Sequence, residues 1–228
     1  MVNRVHSQAT IRARTLELLW ASRAPRSRGP QPRVTLDDIA AAGVRWADAQ
    51  GLSGLTLAGV AGDLGLTTTA LYRYIDSKDA LLELMVNHAI GYPPKLTGKT
   101  WRDRTQVWTK RLCERYRRHH WVTQVQIAGP PSYPASLAWL ESLLNELDDS
   151  PIGDPMRLAL VLDGLARALA LVHADPDSAA PPDWLVDAIT QRYPRVASEL
   201  QRDWGNVDDE LPYAVNTVLA GAEQLRRK

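Results

Sequence analysis

The sequence predicts an all-α protein, a small N-terminal helical unit followed by a larger helical bundle, from three observations. Apolar residues recur at intervals of three and four along most of the 228-residue chain, the period of an amphipathic helix. No alternating β-branched run carries an Asn-Gly or Asp-Gly hairpin turn between two strand-like segments. Clusters such as Gly91-Tyr-Pro-Pro, Gly129-Pro-Pro and Ala180-Pro-Pro punctuate the helical stretches at their ends.

The leader divides in two. Ser7 to Ser22 has a partial apolar stripe of Ile11, Thr15, Leu18, Leu19 and Trp20 and is expected to be helical. From Arg23 to Arg33, three prolines and Gly29 exclude a helix. A helix then runs from Leu36 to Gly51, its start marked by Thr35 and Asp38 in the spacing of a capping box. Thr56 and Thr67 are expected caps of two short helices, and Asp76 with Asp79 offers an acidic first turn for the next.

Between Thr56 and Tyr74 the pattern is that of a helix-turn-helix. Ala61 is small enough for two helices to approach closely, Gly65 can adopt the left-handed backbone of a tight turn, and Leu71 faces inward. Thr67, Thr68, Thr69, Tyr72, Arg73 and Tyr74 are left to point outward or toward a backbone. Hydroxyls, aromatic edges and a guanidinium are the groups that reach phosphates and base edges in a DNA groove.

With its flanks, Val34 to Gly91 resembles the DNA-binding domain of the TetR/AcrR family of bacterial repressors, above all in Leu71-Tyr-Arg-Tyr-Ile75 and Ser77-Lys-Asp-Ala-Leu-Leu82. The resemblance implies contacts to base edges by Thr67, Thr68, Thr69, Arg73 and Tyr74, and to phosphates by Thr56, Tyr72 and Lys78. Arg73 suits bidentate guanine recognition, worth about 1–3 kcal/mol of discrimination. Lys78 opposes the dipole in the first turn of its helix, so a phosphate partner would account for it. One departure is plain. Leu57, Ala58 and Gly59 stand where family members often place a basic or polar residue, so contacts from the first of the two helices should be few.

The overall charge of +1 hides an uneven distribution. Residues 1–35 carry +6, residues 36–91 carry −4 and the remainder −1. A DNA-binding unit that is itself acidic needs basic groups from elsewhere to neutralise phosphates. The basic extension, residues 1–33, is either a solvated tail or an arm whose Arg26, Arg28 and Arg33 enter the minor groove.

Residues 92–228 form the larger unit. Trp101, Trp108, Leu112 and Tyr116 lie on one face of a helix; a short segment spans His120 to Ile127; Ser136 to Leu147 presents Leu137, Leu140, Leu144 and Leu147. Met156 to His173 is the most apolar helix, weaker ones span Trp184 to Leu200 with a break at Pro194, and Leu211 to Leu225 closes the chain. Phrases such as His119-His-Trp-Val122 and Asp163-Gly-Leu-Ala-Arg167 give this part a looser resemblance to the ligand-binding and dimerisation domain of the same family. Trp101, Trp108, Trp121, Trp139, Arg111, Leu112, Arg115, Tyr116, His119, Gln124, Gln126, Asp163, Arg167 and His173 are candidate pocket residues. For the tryptophans, filling core space in a chain without Phe is the plainer alternative. Asp163 and Arg167 lie four apart on the most apolar helix, where a charge is costly unless paired with its neighbour, a second subunit or a ligand.

Several classes are excluded. Cys113 is the single cysteine, so no intrachain disulfide forms and a cytoplasmic setting is expected. Adjacent His119 and His120 face different ways on a helix, so no metal site is expected, and no cofactor fingerprint or nucleophile motif marks an enzyme. No stretch is apolar enough for a signal peptide or membrane span. The expectation is a homodimeric regulator, most simply a repressor released from a palindromic DNA operator by a small molecule. The alternative is a ligand-binding protein of the same fold that no longer binds DNA.

Overall fold

The computed structural model describes residues 13–21, 33–125, 131–172, 182–202 and 207–225, and among them every regular element is helical. In chain order these are α1 (13–21), α2 (Leu36–Gly54), α3 (Leu57–Asp63), α4 (Thr68–Leu71), α5 (Lys78–Ile90) and α6 (Trp101–Arg118). A 3-10 turn (His120–Gln124) follows, then α7 (Pro134–Leu147), α8 (Pro155–Val172), α9 (Asp183–Arg192), α10 (Pro194–Leu200) and α11 (Val207–Gln224). None of the described helices is long and apolar enough to cross a membrane.

Local chemistry sets the boundaries. Thr35 and Asp38 form the capping box of α2, and Gly51, at φ 70°, breaks that helix where the sequence ends it. A second capping box, Thr100 with Asp103, opens α6. Of the acidic pair expected in the first turn of α5, only Asp79 lies there. Ser77 accepts from Ala80 N at 3.0 Å, while Asp76 instead pairs with Arg14 of α1 at 3.3 Å. In α7, Pro134 takes the first position, and the buried face is Trp139, Leu140, Leu143 and Leu147. Leu137 and Leu144 are only half-buried.

Helices α2 to α5 close a small core of Ile39, Ala42, Ala47, Val60, Ala61, Leu71, Ile75, Leu81 and Met85. Small residues on α2 let α5 approach closely: a Cβ on Gly43 would stand 2.6 Å from Met85 Sδ. In the larger unit, α6 packs on α8, with α7 and α11 beside them. Its centre is three fully buried tryptophans, Trp108, Trp121 and Trp139. Trp108 and Trp139 meet edge to face at 5.8 Å, and their ring N–H groups donate to Trp139 O and Gly91 O.

Besides the Trp139–Gly91 bond, two further polar contacts among the described residues join the units. Asn87 Oδ1 on α5 accepts from Ala135 N at the start of α7, 2.9 Å. Asp48 on α2 accepts from Trp121 Nε1 at 2.7 Å and pairs with His119 Nδ1 at 2.9 Å. A third element spans the same junction: α1 buries Thr15 and Leu19, and Trp20 Nε1 donates to Ser132 O at 3.2 Å.

Candidate nucleic-acid interface and ligand cavity

The α3–α4 segment is built by side-chain caps and one glycine turn. Thr56 Oγ1 accepts from Gly59 N, and Thr67 Oγ1 from Ala70 N, both at 3.1 Å. Gly65 takes φ 65° between them, and Leu66 N donates back to Ala61 O at 2.8 Å. Gly59 is explained by its neighbour: a Cβ there would strike the Trp46 ring at 2.8 Å, and Trp46 Nε1 is in turn fixed on Asp63 at 2.7 Å.

The sequence leads one to expect an eight-residue recognition helix. The structure has a single α turn, Thr68–Leu71, prolonged by tight turns in which Arg73 N bonds Ala70 O and Tyr74 N bonds Leu71 O. Leu71 and Ile75 are both drawn into the core, which anchors the turn at each end. Thr67, Thr69, Tyr72 and Arg73 are exposed together, Thr68 is half-buried, and Tyr74 packs partly on the core. Thr56 lies exposed on the adjoining helix start. Lys78 Nζ donates to Leu55 O at 2.7 Å, which accounts for its position without a phosphate. An ammonium has three donors, so others remain for one.

Of the leader arginines, Arg33 is exposed, whereas Arg26 and Arg28 lie outside the described residues. Gln126 and His173 lie outside them as well.

Among the described residues the pocket candidates divide between core and surface. Trp108, Leu112, Tyr116, Trp121 and Trp139 are core. Trp101 is half-buried beneath the Arg102 guanidinium, 5.0 Å from its ring centre. Arg111 and Gln124 are exposed, Arg111 pairing with Glu114 at 3.0 Å, and Arg115 is half-buried. Asp163 and Arg167 bond different partners: Asp163 accepts from Tyr116 Oη at 2.7 Å, and Arg167 Nη2 reaches the carbonyls of Val122, Thr123 and Val125 at 2.9, 2.9 and 2.7 Å. Burial raises the Asp163 carboxyl above the usual range, opposed by the Tyr116 bond and the Arg167 charge. Burial, with Asp163 beside it, pushes the Tyr116 hydroxyl well up too.

A cavity of about 730 Å³ opens elsewhere, between one face of α6 (Asp103, Gln106, Val107, Lys110, Cys113, Glu114, Arg117), the start of α11 (Leu211, Pro212, Val215) and the strand of chain at Thr97 and Gly98. Its size is that of a small-molecule site. Gln106 Nε2 bridges its two helices through Asn216 Oδ1 at 2.7 Å. Burial pushes the Cys113 thiol up. Among the described residues no cluster of three His, Cys, Asp or Glu side chains could hold a metal ion.

Residues 93–161 match the family described as tetracyclin repressor-like, C-terminal domain. Over 232 residues, 93% of this chain and 86% of the other, the protein is 32% identical to the HTH-type transcriptional repressor DrrR1 of Streptomyces coeruleorubidus. The chain belongs to the TetR family.

Solved TetR-family structures share its fold. ActR of Streptomyces coelicolor in complex with (S)-DNPA superposes with a TM-score of 0.70 at 19% identity, covering 85% of this chain and 98% of that one. The same protein in complex with actinorhodin gives 0.69 at 19% identity, covering 84% and 97%. This TetR-family chain is thus a DNA-binding transcriptional regulator with its helix-turn-helix in α3–α4. Sequence reasoning missed the cavity-lining face of α6. Its members recur at threes and fours, but being largely polar they resemble a solvated face.

Proposed function

We propose that this TetR-family regulator is a homodimeric repressor whose exposed Thr67–Tyr74 segment enters the major groove and whose bundle binds a small-molecule effector. The DNA-binding unit is residues 34–91, and the ligand-binding and dimerisation unit is residues 92–228. The observation that carries the reading is the outward face of Thr67, Thr69, Tyr72 and Arg73 on a turn fixed by Leu71 and Ile75. Arg73 reads a base edge, and Thr56, Tyr72 and Lys78 hold phosphates. The cavity between α6 and α11 is the effector site, consistent with the ligands in the ActR complexes.

The dimer seam is α8 with α11. Met156, Leu160, Val161 and Leu171 of α8 and Tyr213 of α11 are exposed apolar side chains, and Gly164 and Gly221 leave open space on the same two helices. A two-fold dimer on a palindrome sets the recognition turns about 34–36 Å apart. An effector that prefers another spacing then opposes DNA, with a coupling of about 1–3 kcal/mol. Such a protein works in the cytoplasm, as a regulator and not as an enzyme.

Fluorescence anisotropy against DNA from upstream of its own gene tests this. The wild type is expected to bind a palindromic segment, and Arg73→Ala to bind at least about tenfold more weakly, within the range for one bidentate contact. Equal binding by the two proteins would refute the assignment of the reading face.

A further inference from the structure

The two walls of the cavity between α6 and α11 differ in charge. Asp103, Lys110, Glu114 and Arg117 line it from one face of α6. From the first to the last is about 21 Å at the helical rise, with Lys110 midway, about 10 Å from either end. On the α11 side, Leu211, Pro212 and Val215 bring no charge to the lining. The bond from Gln106 Nε2 to Asn216 Oδ1, 2.7 Å, ties the two helices together, so the width of the slot is set before anything enters it.

Three of these four charges are already used inside the protein. Asp103 accepts from Thr100 N at 3.0 Å, and its bonds to the Thr100 cap hold the carboxyl below the usual carboxylate range. Glu114 Oε2 is held by Arg111 at 3.0 Å. Arg117 has a partner of its own. Lys110 differs: among the described residues no group accepts from its ammonium. Glu114, four residues on, is within reach of a lysine on the same helix face, but Arg111 occupies it. Cys113, three residues on, is kept as a neutral thiol by burial. Asp103 lies beyond the screening length of about 8 Å at physiological salt. Asp209 and Glu210, which precede the apolar wall of α11, are engaged with other groups.

We propose that this cavity takes an amphipathic organic anion, its carboxylate or phenolate on Lys110 and its apolar body against Val107, Leu211, Pro212 and Val215. The volume of about 730 Å³ leaves room for a body of drug size. An anion gains a charge-assisted hydrogen bond from the ammonium. A neutral molecule of the same shape gains only the apolar wall, and a cation is repelled. The inference rests on the reading of this cavity as the effector site and adds only the charge and polarity of what enters it.

Isothermal titration calorimetry of the full chain with naphthoate, naphthamide and naphthylmethylammonium separates these cases, since the three probes share one ring system and differ in charge. The anion is expected to bind about three- to fivefold more tightly than the amide, the range for an ion pair that keeps part of its water, and the cation more weakly than either. Lys110→Met keeps the apolar stem and should bring anion and amide within about twofold of each other. Lys110→Arg should retain the preference, and Lys110→Glu should transfer it to the cation. Lys110 is exposed, so the fold does not depend on it, and thermal melts check this. An order that puts the amide or the cation first, or an anion preference that Lys110→Met leaves unchanged, overturns the assignment. Val107→Trp, which fills the cavity, tells that failure apart from failure of the site. If it abolishes binding of the probes, the site stands whatever their order. If it changes nothing, or if no probe binds the wild type, the effector-site reading and the inference fall together.

Discussion

Trp121 Nε1 and His119 Nδ1 converge on Asp48 Oδ1 at 2.7 and 2.9 Å, so one carboxylate of the DNA-binding unit receives two donors from the bundle. The 3-10 turn that carries this pair is itself clamped by Arg167 through three backbone carbonyls. Arg167 also lies over the Tyr116 ring at 5.9 Å, and Tyr116 donates to Asp163. A continuous run of polar contacts therefore joins α8 and α6 to α2. Asp48→Ala would leave the buried Trp121 N–H without its acceptor, a loss of about 1–3 kcal/mol. Urea unfolding followed by tryptophan fluorescence should show the midpoint fall by a corresponding amount, and an unchanged midpoint would mean that water replaces the carboxylate at no cost.

The glycines of α2 and α3 are expected to respond in opposite directions. Gly43→Ala pushes a methyl against Met85 and should destabilise by about 1–3 kcal/mol, less if the thioether turns aside. Gly62→Ala meets nothing within 4 Å on an exposed helix position and should stabilise by up to about 1 kcal/mol. Paired thermal melts check the sign of each.

The buried carboxyl of Asp163 gives a pH dependence of defined sign. Its pKa is raised, chiefly by burial, so the folded state holds the proton more tightly than the unfolded chain does. The stability this contributes is complete below the ordinary aspartate value of about 3.9 and is lost as pH rises through the raised folded value. Asp163→Asn keeps a neutral acceptor for Tyr116. The advantage of the variant over the wild type should grow across that window and then level off. A difference in urea midpoints that is flat from pH 4 to 8 would contradict the direction.

The proposed dimer seam, α8 with α11, is tested by one charge. Val161 is 53% exposed on α8, and Val161→Glu places a carboxylate on both sides of a two-fold contact. Light scattering should give a dimer for the wild type and a monomer for the variant. A variant that remains dimeric would place the seam elsewhere.

The thiol of Cys113 combines burial with a place in the cavity wall. Its raised pKa leaves little thiolate at neutral pH. Labelling by an aromatic disulfide is expected to be slow in the native protein and to become rapid in urea. Fast native labelling would show that the cavity admits reagents of that size and that the thiol is more ionised than its burial implies.

Much of this was legible in short-range chemistry. Thr35, Thr56 and Thr67 cap the helices their spacing indicated, and Gly51 and Gly65 take the positive φ that their places in the pattern required. Ser77 caps α5, and Asp76, one residue before it, pairs with Arg14 from far upstream and so adds nothing to the first turn. Long-range partners were the part that local pattern could not supply. Nothing around Trp121 indicates that its N–H is satisfied 73 positions away by Asp48, and nothing within α8 indicates that Arg167 is used by three carbonyls of another element. The cavity was hidden for the same reason. Polar residues on α6 look solvated until α11 closes over them.

The brevity of α4 has one last consequence. A single turn of helix has no stability of its own, so the proposed reading head owes its shape to Leu71 and Ile75, which plug into the hydrophobic interior on either side of it. It has no slack with which to reshape itself against DNA while that interior stays intact. On the proposed reading, a signal that loosens the grip on DNA swings the head as a solid piece, and control becomes a question of aim.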